Sequence, residues 1–331
     1  MTADTDCQKR IMERLVLIDA YGHIYRSFYG LRELTNAQGQ PANALYAMAR
    51  FLLSLEESLP STFGAVVFDK GKCTRRCALL PQYKAQRPPM PEALRSQIPA
   101  IRDWMQAFGW PLLEQEGREA DDLMAALAVS TSEDVAVNVL SFDKDLAQLV
   151  NEHVAILTPG QKGQWNTLDI AGVREKYGLE PSQLCDYLSL LGDSADNIPG
   201  VEGVGPKTAT TLLQTYGSLE GILQNLDKVS GQKLRANLTS ATETLERNRQ
   251  LVALDTTMPE DWHWMTVCQR RQPDWKLLCH LAEEQGFKSL LPQFQRHVPD
   301  EEPPISEDMP LFATPPAPEK RAEDNGQLLL F

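Results

Sequence analysis

The sequence predicts a three-layer α/β core built on a mostly parallel sheet, followed by an all-helical segment. Three observations predict it. Short apolar runs alternate with amphipathic helical stretches over the first half of the chain, the pattern of βαβ units. Acidic residues follow nearly every apolar run, as expected where a parallel sheet delivers polar groups to the carboxyl ends of its strands. From about Leu179 onward the apolar spacing is helical.

The elements follow in order. Leu15 to Asp19 has the continuous apolar character of a buried strand, and Ala42 to Leu55 the spacing of an amphipathic helix. Gly64 to Phe68 is a second strand. The basic stretch after it carries Pro81, Pro88, Pro89 and Pro91, which forbid one long helix. Helix resumes from Pro91 to about Ala107, with Pro91 suited to a first turn. Pro111 to Glu114 is a short strand, Ala120 to Val129 a helix with acids at the favourable end of its dipole, and Val135 to Ser141 a third good strand. A helix from Asp143 to Val150 closes the α/β part. Then come helices from Pro181 to Leu191 and Thr208 to Thr215, joined by a glycine hairpin beginning at Gly200. Gly217-Ser218-Leu219 starts another helix, Lys233 to Ala253 holds more, and Trp275 to Leu291 is a last helical piece broken at Gly286. Beyond His297 the chain is rich in proline and acid, and disorder is expected there.

At 331 residues the chain suits one large or two modest domains. No apolar run approaches the roughly 20 residues of a membrane span. The polar N-terminus lacks a signal-peptide core, so a cytoplasmic protein is expected. The six cysteines and five histidines are scattered and complete no zinc site or triad. The net charge of −13 divides unevenly: residues 298–331 carry −6, leaving −7 on the body. Nine clustered carboxylates more than account for that remainder. Basic residues concentrate from Lys70 to Arg102, with Glu92 the sole acid among them. A basic stripe beside an acidic pocket suits a polyanionic substrate, so the acidity does not exclude nucleic acid.

The nine are Asp19, Asp69, Glu119, Asp121, Asp122, Asp143, Asp145, Asp193 and Asp196. So many acids in one crevice cannot all ionise without a cation, because each raises its neighbours' pKa. Hard divalent ions with oxygen ligands, Mg²⁺ or Mn²⁺, are the natural counter-charge, which points to a metal-dependent phosphodiesterase. Each motif alone is weaker. Glu119-Ala120-Asp121-Asp122 is also an ordinary acidic helix start, and Asp143-Lys144-Asp145 an ordinary surface turn. The hairpin Gly203-Val204-Gly205-Pro206-Lys207 could be a plain turn, or could present helix N-terminal amides to a phosphate with Lys207 beside them. Tyr83-Lys84-Ala85-Gln86-Arg87 is either a loop or an aromatic with two cations against nucleic acid.

Their joint order is far more specific. Strand-Asp, strand-Asp, basic segment, Glu-Ala-Asp-Asp, Asp-Lys-Asp, Gly192-Asp193-Ser194-Ala195-Asp196-Asn197 and glycine hairpin follow one another across residues 14 to 255. This succession closely resembles the 5′-nuclease (flap endonuclease) family, in particular the 5′→3′ exonuclease domain of bacterial DNA polymerase I and its stand-alone relatives. The resemblance implies a PIN-like nuclease core over 14–178 after a short extension (1–13), with a helical arch at about 70–102. It also implies a helix-three-turn-helix DNA-binding domain with C-terminal helices over 179–296, then an acidic tail (297–331). By position, Asp19, Asp69, Glu119, Asp121 and Asp122 resemble ligands of a tighter metal, and Asp143, Asp145, Asp193 and Asp196 those of a second. Lys84 and Arg87 resemble the catalytic arch cations. Arg26 resembles a phosphate-binding arginine, and Arg76, Tyr83, Gly203, Gly205 and Lys207 are further expected DNA contacts. Two Mg²⁺ ions, with Mn²⁺ as a substitute, are the implied cofactors, with K⁺ at the hairpin. The chain departs from the family pattern at Ala20 and Phe142 (glycine), Ala195 (serine) and Arg75 (an aromatic).

The implied function is a structure-specific 5′→3′ exonuclease and flap endonuclease in replication and repair, a monomer in the bacterial nucleoid acting on 5′-flap, nicked or primer-containing duplexes by two-metal-ion catalysis. The rival is a catalytically weak flap-binding adaptor. Nine acids facing phosphates disfavour it, since a binding protein has no use for them. The last residues, Gln327, Leu328, Leu330 and Phe331, resemble a sliding-clamp-binding peptide, and could equally be an inert apolar end.

Overall fold

Alternation of side chains along a strand sorts the core into two layers. In the computed structural model, which describes residues 13–298, β1 (Glu13–Asp19) lies at the centre of a six-stranded sheet. Leu15 and Leu17 face one apolar cluster while Val16 and Ile18 face the other, and all four are fully buried. Burial on both faces explains why the run is continuously apolar rather than alternating.

Beside β1 lie β2 (Phe63–Val67) and, on its other edge, β4 (Val135–Leu140). A short β3 (Leu112–Leu113) extends the β2 side. On the β4 side come β5 (Val154–Pro159) and β6 (Trp165–Leu168). The order is β3-β2-β1-β4-β5-β6, parallel except for the antiparallel β6. The chain moves outward from β1 to β3 and restarts at β4 on the other side, so its topological switch point lies between β1 and β4.

One face is covered by α1 (Ala20–Gly30), α2 (Asn43–Ser58) and α5 (Ile98–Ala107). Between α2 and α5 the basic segment holds α3 (Thr74–Leu79) and α4 (Glu92–Arg95). The opposite face carries α6 (Ala120–Val129). After α7 (Ile170–Tyr177) come α8 (Leu184–Leu191), α9 (Pro206–Tyr216), α10 (Leu219–Gln224), α11 (Gln232–Ser240), α12 (Thr242–Val252) and α13 (Trp264–Val267). Leu188, Leu213, Leu245 and Leu251 join the same apolar cluster as α6, so the helical half shares one core with the sheet. Then α14 (Trp275–Gln285) and α15 (Leu291–Gln295) return to the first face, where Phe294 meets Trp104 edge-on at 6.0 Å between ring centroids.

The α/β core with a mostly parallel sheet and a following helical region is as the sequence predicts. Several elements differ. The strands β5 and β6 lie beyond those the sequence predicts; β6 is a short edge strand with exposed Asn166 and Thr167. The expected helix from Pro91 to Ala107 is two helices, with Pro99 in the first turn of α5. The Asp143–Val150 helix is a single 3₁₀ stretch, Asp145–Leu149. The Lys233–Ala253 helix breaks at Ala241 into α11 and α12.

Candidate metal centre

Asp19 is the last residue of β1 and also the N-cap of α1: its Oδ1 accepts from the Gly22 N–H at 3.0 Å. Its Oδ2 accepts from the Ser141 hydroxyl at 2.8 Å, just past β4, and Ser141 Oγ accepts in turn from the Asp143 N–H at 3.0 Å. One serine thus ties the acids of two strands together across the switch point. Asp69, two residues past β2, accepts from the Ala120 N–H at 2.8 Å and so joins the N-terminus of α6, whose first turn presents Asp121. Asp19, Asp69, Asp121 and Asp143 line one cavity of about 450 Å³, with Lys84 and Arg87 also in its wall.

The electrostatics of this cavity are unfavourable as it stands. Burial pushes the Asp19 carboxyl up to about 6, with Asp69 and Asp143 adding to the effect. Asp121 is held well above the carboxylate range, by burial first and then by Asp143, Asp19 and Asp69. Asp69 keeps solvent-accessible surface because it lines the cavity, yet its depth also raises it, with Glu119 contributing. Next to them Asp145 rises to about 7 through burial and then Asp143. Asp143 therefore acts on both sets of acids, Asp19 and Asp121 on one side and Asp145 on the other. Among the described residues none of Asp19, Asp69, Asp121, Asp143 or Asp145 forms an ion pair. An all-oxygen donor set, desolvated and short of positive charge, fits hard divalent cations.

The remaining acids are partnered. Asp193 makes an ion pair with Lys144 at 2.7 Å, which together with the Ala195 N–H overcomes the upward push of burial and lowers its pKa. Arg87 pairs with Asp196. Lys84 pairs with Glu119 and lies 3.8 Å from Asp196. Lys84 and Arg87, both in the cavity wall, thus tie the 82–87 segment to the N-cap of α6 and to the 192–198 turn.

Three placements differ from expectation. Asp122 turns away from the cavity: Arg76 binds both its oxygens, at 2.6 and 2.8 Å, and the Asp255 N–H adds a bond at 2.9 Å. It is 1% exposed and does not line the cavity with Asp19, Asp69, Asp121 and Asp143. Arg76, expected on DNA, is 3% exposed and committed to Asp122, Glu119 and the Leu251 carbonyl. Tyr83, also expected on DNA, is buried, with its hydroxyl on Glu119 at 3.0 Å and Asp196 at 3.2 Å. Cys73, Glu119 and Asp122 lie close enough together to hold an ion, but the Arg76 guanidinium already bonds all three.

Other expected residues lie where a polyanion could reach them. Arg26 is exposed, with its guanidinium 4.3 Å from the centroid of the Phe142 ring, and both line a second cavity that shares Gly22 and Tyr25 with the acidic one. Gly203 has a φ of +80°, which favours glycine in the turn. Gly205 is the N-cap of α9 without a side-chain bond, and Lys207 is exposed in its first turn. Gln327, Leu328, Leu330 and Phe331 lie outside the described residues. Two site residues escaped sequence reasoning. Ser141 carried no signal, whereas Lys144 stood in plain view between two acids and needed only a partner.

The chain matches two family models: the N-terminal resolvase-like domain of 5′-3′ exonucleases over residues 14–178, and their C-terminal SAM fold over residues 179–276. It is 39% identical to a 5′-3′ exonuclease of Aquifex aeolicus, over 86% of this chain and 96% of that protein. The chain belongs to the 5′-3′ exonuclease family. It is also 37% identical to a thermostable DNA polymerase I of Thermus thermophilus, over 85% of its own length but only 33% of the polymerase's. Among solved structures, a mutant T5 5′-exonuclease is 25% identical with a TM-score of 0.57, covering 74% of this chain and 89% of that one. T5 5′-exonuclease with bound zinc (23% identity, TM-score 0.61, 86% and 98% covered) and the Rad2 catalytic core with DNA (16%, 0.57, 88% and 93%) share the fold of this 5′-3′ exonuclease family member. Among the described residues no helix is long and apolar enough to cross a membrane.

Proposed function

We propose that the protein is a structure-specific 5′ nuclease, hydrolysing phosphodiesters near a 5′ end of DNA or an RNA primer. One observation carries the reading: five acids without ion-pair partners surround the sheet's switch point, and four of them have raised pKa values. Asp19, Asp69, Asp121, Asp143 and Asp145 would hold divalent ions, Mg²⁺ or Mn²⁺, with Glu119, Asp193 and Asp196 at the rim. When bound, such ions supply Lewis-acid stabilisation of charge building on the phosphate and lower the pKa of water.

The chain's own groups account for the rest. Lys84 and Arg87 trade their rim carboxylates for the phosphate oxygens as substrate enters, so their charge is available where negative charge develops. Arg26 takes the neighbouring phosphate. The open N-terminus of α9, with Gly205 and Lys207, grips duplex backbone and fixes its distance from the cut. Water adds to phosphorus as the bond to the 3′ oxygen breaks, leaving a 5′-phosphate on the retained strand and a 3′-hydroxyl on the released piece.

The test is a time course on an end-labelled 5′-flap duplex with Mg²⁺, against EDTA and Asp121→Asn. Metal-dependent release lost in the variant supports the reading. Tight flap binding without cleavage in Mg²⁺ or Mn²⁺ supports a flap-binding adaptor instead.

A further inference from the structure

The buried guanidinium of Arg76 is a junction of three parts of the molecule. It projects from α3 in the basic segment. Its Nη1 donates to Glu119 Oε2 at 2.7 Å and to Asp122 Oδ2 at 2.6 Å, both at the start of α6. Its Nη2 reaches Asp122 Oδ1 at 2.8 Å, and its Nε the Leu251 carbonyl at 2.7 Å, in the last turn of α12. That carbonyl is one of those a helix leaves without an internal partner, at the end of its dipole that favours cations. Arg75 bonds the Gln250 and Ala253 carbonyls, each at 2.7 Å, and Arg118 bonds the Thr257 carbonyl at 2.8 Å. Three arginines of the nuclease half thus clasp residues 250–257. Upstream on α12, Asn248 donates to the Ser189 and Pro199 carbonyls, which flank the 192–198 acidic turn. A continuous path of hydrogen bonds therefore runs from that turn through α12 to Glu119.

We infer that Arg76 is a positioning residue that sets Glu119 at the metal cavity and couples it to the seat of α12, with Asp122 serving as the counter-charge of Arg76 and not as a metal ligand. The inference rests on the nuclease reading, and deepens it by separating acids that bind metal from an acid that aims one. Arg76 is poorly suited to leave its partners for a phosphate, because it is enclosed and has six bonds to protein groups. Asp122 is equally poorly suited to take up an ion, because doing so would strand a buried guanidinium.

The experiment compares wild type, Asp121→Asn, Asp122→Asn, Arg76→Lys and the apolar double variant Arg76→Met/Asp122→Leu. Mn²⁺ binding is counted without DNA, melting is followed in EDTA, and kcat and KM are taken on a flap duplex. Replacing both charges by apolar groups of similar size should keep the fold. The double variant is expected to bind as many Mn²⁺ ions as wild type, with kcat lower by about 10–100-fold, the usual loss when an outer partner of a ligand is removed, and KM within about twofold of wild type. Arg76→Lys should recover part of kcat. If the double variant does not fold, Asp122→Asn carries the ligand question: it should keep the wild-type Mn²⁺ count while Asp121→Asn lowers it. A lower count in Asp122→Asn would overturn the assignment, as would a folded double variant with wild-type kcat. Failure of the nuclease reading would appear separately, as wild type that takes up no Mn²⁺.

Discussion

Asp121 carries an adverse environment: half-buried in the cavity wall, desolvated, and facing Asp143, Asp19 and Asp69. Its raised pKa means that the folded state keeps a proton that the unfolded chain has already released. Stability from this group is complete below the ordinary carboxylate pKa and is lost as pH rises through the folded value. Asp121→Asn should therefore raise the melting temperature in EDTA at pH 8, with the gain shrinking towards pH 4, while cleavage falls by at least about 100-fold, the upper end of losses from disturbing a metal's surroundings. Paired melts at the two pH values check the first part; an unchanged melt at pH 8 would show that the charge is not strained. The acids were legible in the sequence because each follows an apolar run or opens a helix, and both patterns survive without knowledge of packing. Which acid faces which cation was not legible. Arg76 sits in the same basic run as Lys84 and Arg87, and only the fold turns it inward to Asp122 while theirs point to the rim.

At the scale of elements, helix N-termini do two different jobs, and glycines separate them. A Cβ at Gly22 would lie 2.2 Å from Asp19 Oδ2, the very carboxylate that caps α1. Gly22→Ala must displace Asp19, so it should lose both the cap, worth about 1 kcal/mol, and most of the cleavage. At Gly205 nothing lies within 4 Å of a new Cβ and φ is −101°, so the fold does not require glycine there. Gly205→Ala should leave the melting temperature nearly unchanged and raise KM for the duplex several-fold, since the methyl group would stand between the α9 amides and a phosphate. A KM equal to that of wild type would remove the α9 terminus from the duplex contact. Element type was readable wherever periodicity ran long: α6 has the limits the sequence suggests. It failed where proline or a short edge intervened. Pro99 split a continuous apolar pattern into α4 and α5, and β6 has only Trp165 and Leu168 half-buried.

At the scale of the molecule, one apolar cluster runs from the sheet through α6 into α8, α9 and α12. Metal bound at the edge of that cluster should therefore stabilise sheet and helices together, as a single transition. An ion bound at 100 times its Kd adds about 2.7 kcal/mol, a shift of several degrees for a chain of this size. The pH dependence follows from the acids. Asp19 and Asp145, raised to about 6 and about 7, hold protons near neutrality that metal must displace. Mg²⁺ or Mn²⁺ should accordingly raise the melting temperature little at pH 5, where binding competes with those protons, and much more at pH 8, where Asp19 and Asp145 have released them. Calorimetric titration in two buffers of different ionisation enthalpy should detect about one proton or more released per protein at pH 6 and fewer at pH 8.5. Metal uptake without proton release at pH 6 would mean that the ions bind away from Asp19 and Asp145, and the assignment of the deep acids as ligands would fall.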